Sequence, residues 1–107
     1  MKYTHKQLRN IVRHKLLFKP NARFNHIDYD FSTSEEHNKE MFHQFFELRK
    51  LGSFLAVNQK LENGKRPDIA ILDLPELMIK EVMISETDKR CDKKEYPGRI
   101  IKVRGKR

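Results

Sequence analysis

The first part of the chain repeats apolar residues at helical spacing. Thr4 can cap the start of a helix, and the residue before Pro20 avoids helical geometry. The sequence therefore predicts an amphipathic, basic N-terminal helix over residues 4–18. Four apolar residues fall on one stripe of this helix: Leu8, Ile11, Val12 and Leu16.

A second helix is predicted between Ser34 and Gly52. The hydroxyl residues and acids at its start suit the positive end of a helix dipole, and the glycine suits its end. Apolar positions recur along it at helical spacing, and we interpret the first four of them as core. These positions are Met41, Phe42, Phe45, Phe46, Leu48 and Leu51.

The second half of the chain predicts a sheet. Asn63-Gly64 is typical of a tight hairpin turn, and Pro75-Glu76 predicts a second turn. A short charged helix is predicted over residues 86–95. The predicted strands cover residues 53–57, 67–74, 77–85 and 99–104. The order α-α-β-β-β-α-β indicates a single α/β domain over residues 1–107.

Charge is distributed unevenly along the 107 residues. The formal charge is +8, but residues 1–24 carry +7, residues 25–87 carry −5, and residues 88–107 carry +6. Basic ends around an acidic centre indicate a polyanionic partner, held around a site that itself contains carboxylates.

Several classes of protein are excluded by composition. The chain has no long apolar run, so no transmembrane helix and no membrane partner are expected. Its N-terminus lacks the apolar region of a signal peptide. Cys91 is the single cysteine, which excludes an internal disulfide and fits a reducing cytoplasm. We therefore expect an intracellular domain, and its small size is compatible with a viral or mobile-element origin.

Three acidic residues occupy positions that are hard to explain as ordinary solvent-exposed acids. Glu40 precedes the apolar stripe of the second helix, Asp68 opens an apolar strand, and Glu81 interrupts another. A charged group in such a strand is costly unless it is paired or binds a metal. Adjacent strands could place Asp68 and Glu81 side by side, which would give an oxygen-rich site suited to Mg²⁺.

These residues resemble a nuclease pattern. Pro67-Asp68 in one apolar strand, followed thirteen residues later by Glu81 in another, is similar to the PD-(D/E)xK nuclease superfamily. The upstream helix with Glu40, closed by Leu51-Gly52, resembles that of archaeal-type Holliday junction resolvases and their viral relatives. The resemblance covers residues 34–104 and implies a restriction-endonuclease-like mixed sheet flanked by helices.

The resemblance also implies an activity. Asp68 and Glu81 would bind Mg²⁺ or Mn²⁺, with Glu40 as a third, outer carboxylate. The protein would be a structure-selective endonuclease that acts as a homodimer on branched or duplex DNA. Two-fold symmetry suits a four-way junction, because two identical sites can cut strands of like polarity.

One position departs from the nuclease pattern. Met83 stands where the pattern has a lysine, and Lys80 should point to the opposite face of the sheet. Among the lysines of the following charged segment, Lys93 is our candidate for the missing group. The alternative is a catalytically degenerate nuclease fold that binds DNA or RNA without cutting. A third possibility is a small basic RNA- or ribosome-associated protein.

Basic and aromatic residues complete the set of candidates. His43, one turn after Glu40, is a candidate phosphate contact. Aromatic residues between the two helices, Tyr29 and Phe31 among them, are candidates for packing against a dimer partner. Contacts to phosphates are expected from the basic ends and from the turn before Asp68. These contacts are Lys6, Arg9, Arg13, Lys15, Lys65, Arg66, Arg99, Lys102 and Arg104.

Overall fold

Two helices precede one open, four-stranded mixed sheet in the computed structural model, which describes residues 2–83 and 96–104. The helices are α1 (His5–Lys15) and α2 (Glu35–Lys50). The strands, in their order across the sheet, are β1 (Leu55–Val57), β2 (Ile69–Ile71), β3 (Met78–Met83) and β4 (Arg99–Arg104).

The predicted α/β class and the order of two helices before the strands are confirmed. β1 pairs with β2 and β2 with β3 in antiparallel fashion, whereas β3 and β4 are parallel. The helix predicted over residues 86–95 lies outside the described residues. The last strand has the bounds that were predicted, and β1 and β2 are shorter than predicted. β3 begins one residue later than predicted, and residues 84 and 85 of the predicted strand lie outside the described residues.

Capping residues fix both ends of α2. The Ser34 hydroxyl accepts a hydrogen bond of 3.1 Å from a backbone N–H of the first turn. At the other end, Gly52 has a φ of +84° and its N–H donates to the Arg49 carbonyl at 2.9 Å. The Ser53 N–H donates to the Leu48 carbonyl at 3.1 Å, which completes a Schellman motif. The predicted bounds of this helix are confirmed.

The buried face of α2 is narrower than predicted. Met41, Phe45 and Leu48 pack against the sheet, whereas Phe46 and Leu51 are exposed. A helix that lies on one sheet buries the side chains of one face only, and Phe46 and Leu51 lie around the cylinder from that face. The prediction that Phe46 belongs to the core is therefore wrong.

The predicted extent of α1 is too long at its C-terminal end. After Lys15 the backbone turns to pair with the loop between β1 and β2. The Glu62 N–H donates to the Leu17 carbonyl at 2.8 Å, and the Lys19 N–H donates to the Lys60 carbonyl at 2.9 Å. The N–H groups of Leu17 and Phe18 donate to carbonyls three residues back, so the α-helical pattern does not continue to residue 18.

α1 also packs on a different face from the one its apolar stripe indicates. Its buried residues are Asn10, Ile11 and His14. The Asn10 side chain donates to the Asp73 carbonyl at 3.3 Å, and the His14 ring donates through Nδ1 to the Leu72 carbonyl at 2.9 Å. The remaining apolar residues of the stripe are 46% to 75% exposed: Leu8, Val12 and Leu16.

The alternation of side chains along the strands creates two apolar clusters. One cluster lies between the sheet and α2, and it contains Leu55, Ile69 and Val82. The other lies on the α1 side and contains Ala70 and Ile79. The sheet is thus covered on both faces. Within the described residues, no helix has the length and apolar character needed to cross a bilayer.

The Asn63-Gly64 turn forms as predicted, within a longer connection between β1 and β2. Gly64 has a φ of +84°, which an L side chain rarely adopts, and its N–H donates to the Leu61 carbonyl at 2.9 Å. The Asn63 side chain accepts a hydrogen bond from the Lys65 N–H at 2.9 Å.

Two glycines with the same backbone conformation should differ in their tolerance of a side chain. Gly98 has a φ of +86° and an added Cβ would overlap the Leu77 carbonyl, whereas an added Cβ on Gly64 has no heavy atom within 4 Å. We expect Gly64→Ala to lower the free energy of unfolding by about 1 kcal/mol. Gly98→Ala should lower it by about 3 kcal/mol, because steric overlap adds to the backbone strain. Equal losses in urea denaturation would contradict this packing.

Candidate active site

Asp68 and Glu81 face each other across the antiparallel pair of β2 and β3. In this register Ile69 lies opposite Lys80. Because the strands are antiparallel, Asp68, which precedes Ile69, lies opposite Glu81, which follows Lys80. The Asp68 N–H donates to Glu81 Oε2 at 2.8 Å. In return, the Val82 N–H donates to Asp68 Oδ2 at 2.8 Å. The predicted adjacency of the two acids is confirmed.

Glu81 is fully buried, with 0% of its surface exposed. It lies on the same face of β3 as Ile79 and Met83, which are also buried. A carboxyl group in these surroundings is costly unless its oxygens accept hydrogen bonds. In addition to the Asp68 N–H, the Tyr96 hydroxyl donates to Oε1 at 3.1 Å. Hydrogen bonds from two separate segments of the chain, at Asp68 and at Tyr96, therefore stabilise the buried carboxyl of Glu81.

His37 is a third member of the site that the sequence did not identify. Its Nε2 lies 3.6 Å from Asp68 Oδ2. The hydrogen bond with Asp68 raises the pKa of His37 against the opposing effect of burial, and attraction to Asp68, Asp30 and Glu81 adds to the rise. Among the histidines of this helix, the sequence singled out only His43 as a candidate contact. The available signal was spacing, since His37 lies one turn before the buried Met41 on the same face.

Glu40 is not joined to the other two acids. Its Oε2 accepts a hydrogen bond of 3.5 Å from the Gln44 side chain, whose Oε1 accepts one of 3.3 Å from Lys80. Lys80 thus points toward α2, on the face opposite Glu81, as predicted. Across residues 2–83 and 96–104, no three acidic, histidine or cysteine side chains converge closely enough to hold a metal ion.

Two carboxylates alone could hold a magnesium ion only if water or a substrate completed its shell. Mg²⁺ is commonly held by one or two carboxylates, with water and substrate phosphate completing its shell. Carboxylate oxygens keep further lone pairs after accepting one hydrogen bond each. The Asp68 side chain is 18% exposed and so gives the pair an approach from solvent.

The position of the pattern's lysine is filled by an apolar side chain. Met83 is buried beside Glu81 on the same face of β3. The lysine proposed in its place, Lys93, lies outside the described residues. The described part of the site therefore contains the acids of the pattern and the His37 imidazole, whose pKa is raised by Asp68.

The predicted phosphate contacts differ in what the structure shows of their side chains. Lys6, Arg9, Lys65, Arg66, Arg99 and Lys102 belong to exposed residues. Arg13 donates to the Pro75 carbonyl, and the Lys15 ammonium lies 5.0 Å from the ring centre of Phe54. Both of these cations hold α1 against the sheet, whatever else they contact. Arg104 is at the end of β4, in register with Met83.

Comparisons with known proteins give no family for this chain. It matches no protein-family model, and no curated protein or solved structure is significantly similar to it. A function therefore has to be inferred from the geometry around Asp68 and Glu81.

The His37–Asp68 contact should make stability depend on pH. The pKa of His37 is raised in the folded state. Its contribution to the free energy of unfolding is therefore full below the unfolded-state pKa of about 6.5, and it is lost as the pH rises through the folded-state pKa. We expect His37→Gln to lower the free energy of unfolding by about 0.5–1 kcal/mol at pH 6, without divalent metal, and by less at pH 8.5. His43→Gln, at an exposed position of α2, is the matched control. A pH-independent loss for His37→Gln would contradict the ion pair.

Proposed function

We propose that this protein is a metal-dependent, structure-selective DNA endonuclease similar to Holliday junction resolvases, on a restriction-endonuclease-like sheet. The observation that carries the proposal is the pairing of Asp68 with a fully buried Glu81 across β2 and β3. Acidic side chains are almost never fully buried unless they are paired, and such buried groups are concentrated at functional sites. The order of the acids along the chain adds the resemblance to PD-(D/E)xK nucleases.

In this proposal Asp68 and Glu81 hold Mg²⁺ or Mn²⁺. Such an ion polarises a phosphodiester and lowers the pKa of an attacking water. The Val82 N–H and the Tyr96 hydroxyl keep the two carboxyls in place for this task. Glu40 serves as an outer carboxylate that can act through water. Lys93 supplies the positive charge that Met83 cannot.

The proposed substrate is branched or duplex DNA, bound through its phosphates. α1 and β4 carry the basic ends of the chain, and Lys65 and Arg66 lie immediately before Pro67 and Asp68. Contacts of this kind recognise the shape and position of the backbone rather than base sequence. A homodimer would present two such sites, which suits the symmetry of a four-way junction.

A catalytically degenerate nuclease fold is the second candidate. The observation in its favour is the buried Met83, which fills the position of the pattern's lysine with a group that has no charge. In that case the Asp68–Glu81 pair would be retained because it joins β2 to β3, and the basic surface would bind DNA or RNA without cutting. The two candidates differ in one measurable step, the cleavage of a phosphodiester.

Cleavage should depend on the two paired acids. We expect the purified protein to nick a four-way junction in Mg²⁺ or Mn²⁺ but not in EDTA. Asp68→Asn and Glu81→Gln should each reduce the rate about 100-fold or more while binding is kept, because each removes a metal ligand. Lys93→Met should also slow cleavage. Glu76→Gln, in the exposed turn between β2 and β3, is the control that should retain activity.

The outcomes separate the two candidates. Tight junction binding with no nicking in either metal would support the degenerate fold. Nicking that persists in both acid variants would mean that the Asp68–Glu81 pair is not the site.

Binding to DNA should weaken with salt in proportion to the phosphate contacts. For a paired duplex, Lys6→Ala and Arg9→Ala should each reduce the slope of log K against log salt by about 0.9, because each removes one released counterion. Lys39→Ala is the control, since its ammonium lies 3.4 Å from Glu35 on α2 and is not a predicted contact. Unchanged slopes for Lys6→Ala and Arg9→Ala would remove α1 from the proposed interface.

A further inference from the structure

Two aromatic side chains lie exposed beside the candidate active site. Phe31 is 91% exposed and Tyr29 is 44% exposed, in the loop that leads into α2. Their ring centres are 4.8 Å apart, with the planes tilted by 53°. The outer surface of the pair faces solvent, and it borders a pocket of ≈ 240 Å³ that Asn58 and Arg66 also line. A pocket of this size suits one flat ring rather than a peptide segment.

We propose that Tyr29 and Phe31 form a stacking surface for one unpaired base of the bound nucleic acid. The inference rests on the proposed function, and it names the feature of a branched substrate that the protein would recognise. Aromatic side chains bind unpaired bases through their faces, and a basic residue nearby contacts the adjoining phosphate. Arg66 is exposed at the edge of the pocket and is in position for that contact.

The loop that carries the aromatic pair is anchored to the site. Asn38, a buried residue of α2, accepts a hydrogen bond from the Asp30 N–H at 2.8 Å and donates to the Asp30 carbonyl at 2.9 Å. Asn38 follows His37, which contacts Asp68. The backbone between the two rings is therefore held in place before a ligand arrives, which reduces the entropy lost on binding.

The other side of the pocket is tied to the same acid. Asn58 follows β1 with a φ of +54°, and its N–H donates to the Asp68 carbonyl at 3.0 Å. A base held against Tyr29 and Phe31 would thus lie near the strand end that carries the proposed metal ligand. This proximity distinguishes the pocket from a surface remote from the chemistry.

The charges around the pocket favour a neutral base inside it. The Ser32 hydroxyl and then its N–H hold the pKa of Asp30 below its ordinary value, with attraction from Arg66 adding to the effect. Asp28 lies at the same rim and accepts a hydrogen bond from His26 at 2.9 Å. Ionised carboxylates repel a phosphate and can accept hydrogen bonds from base amino groups. The pocket therefore suits the base, and the phosphate is left to Arg66 at its edge.

The test compares unpaired nucleotides with and without a base. One fluorescein-labelled duplex carries a central unpaired adenosine. A second, otherwise identical duplex carries an abasic analogue at that position. Dissociation constants are measured in EDTA by anisotropy for the wild type, for Phe31→Leu and for Phe46→Leu. The last variant removes an exposed ring from α2, outside the pocket, and is the control.

We expect the wild type and Phe46→Leu to bind the adenosine duplex about tenfold more tightly than the abasic one. Phe31→Leu should lose most of that preference and keep its affinity for a fully paired duplex. In a second measurement, 2-aminopurine at the unpaired position should be quenched by the wild type and much less by Phe31→Leu.

Three results would overturn the inference, and they point to different causes. Equal affinity of the wild type for adenosine and abasic duplexes would exclude stacking and leave the nuclease proposal intact. No binding to any of the duplexes at low salt would overturn the proposed function as well. A Phe31→Leu variant with an unchanged adenosine preference and a smaller mass by sedimentation would assign the rings to a dimer contact.

Discussion

The buried carboxyl of Glu81 sets the constraint on which the rest of the site depends. A polar group inside an apolar sheet loses about 1–3 kcal/mol for a hydrogen bond left unmade. The Asp68 N–H and the Tyr96 hydroxyl supply those bonds from the segments on either side of β3. Because Asp68 in turn accepts the Val82 N–H, the two strands are joined beyond their regular ladder. The hydrogen bond that Asp68 donates to Glu81 therefore fixes the position of Asp68.

The two faces of β3 divide the charged residues between them. Lys80 and Glu81 are neighbours in the sequence, yet Lys80 contacts Gln44 on α2 while Glu81 contacts Tyr96. The pleat of the strand causes this separation, since successive side chains point to opposite faces. The lysine next to the buried acid therefore cannot take the place that Met83 occupies. A cation beside this carboxyl pair would have to come from another element, and the His37 imidazole on α2 lies 3.6 Å from Asp68 Oδ2.

Local signals predicted the parts of the fold that local interactions determine. The caps of α2, the Asn63-Gly64 turn and the bounds of β4 follow from residues that act within a few positions of themselves. The adjacency of Asp68 and Glu81 was also predictable, because a short connection between two apolar strands leaves few registers.

Features that depend on distant partners were not predicted. The apolar stripe of α1 does not determine which face of the helix is buried. That face is the one from which His14 and Asn10 donate hydrogen bonds to the carbonyls of residues 72 and 73. His37 becomes part of the site only because α2 packs on the sheet with His37 beside Asp68, the residue before β2. The exposure of Phe46 likewise follows from how much of α2 the sheet can cover. Periodicity describes a helix but does not say which neighbour it meets.

The mixed pairing of the sheet has a consequence for the order in which the protein folds. β2 and β3 are joined by a short connection, with Ile71 opposite Met78, whereas the parallel pair brings Met78 to Arg99. Closing the shorter loop costs less entropy, so we expect the antiparallel hairpin to form first. The Tyr96 hydroxyl can reach Glu81 only when β4 has docked. Until β4 docks, the Glu81 carboxyl therefore lacks the hydrogen bond from Tyr96 and stays open to water.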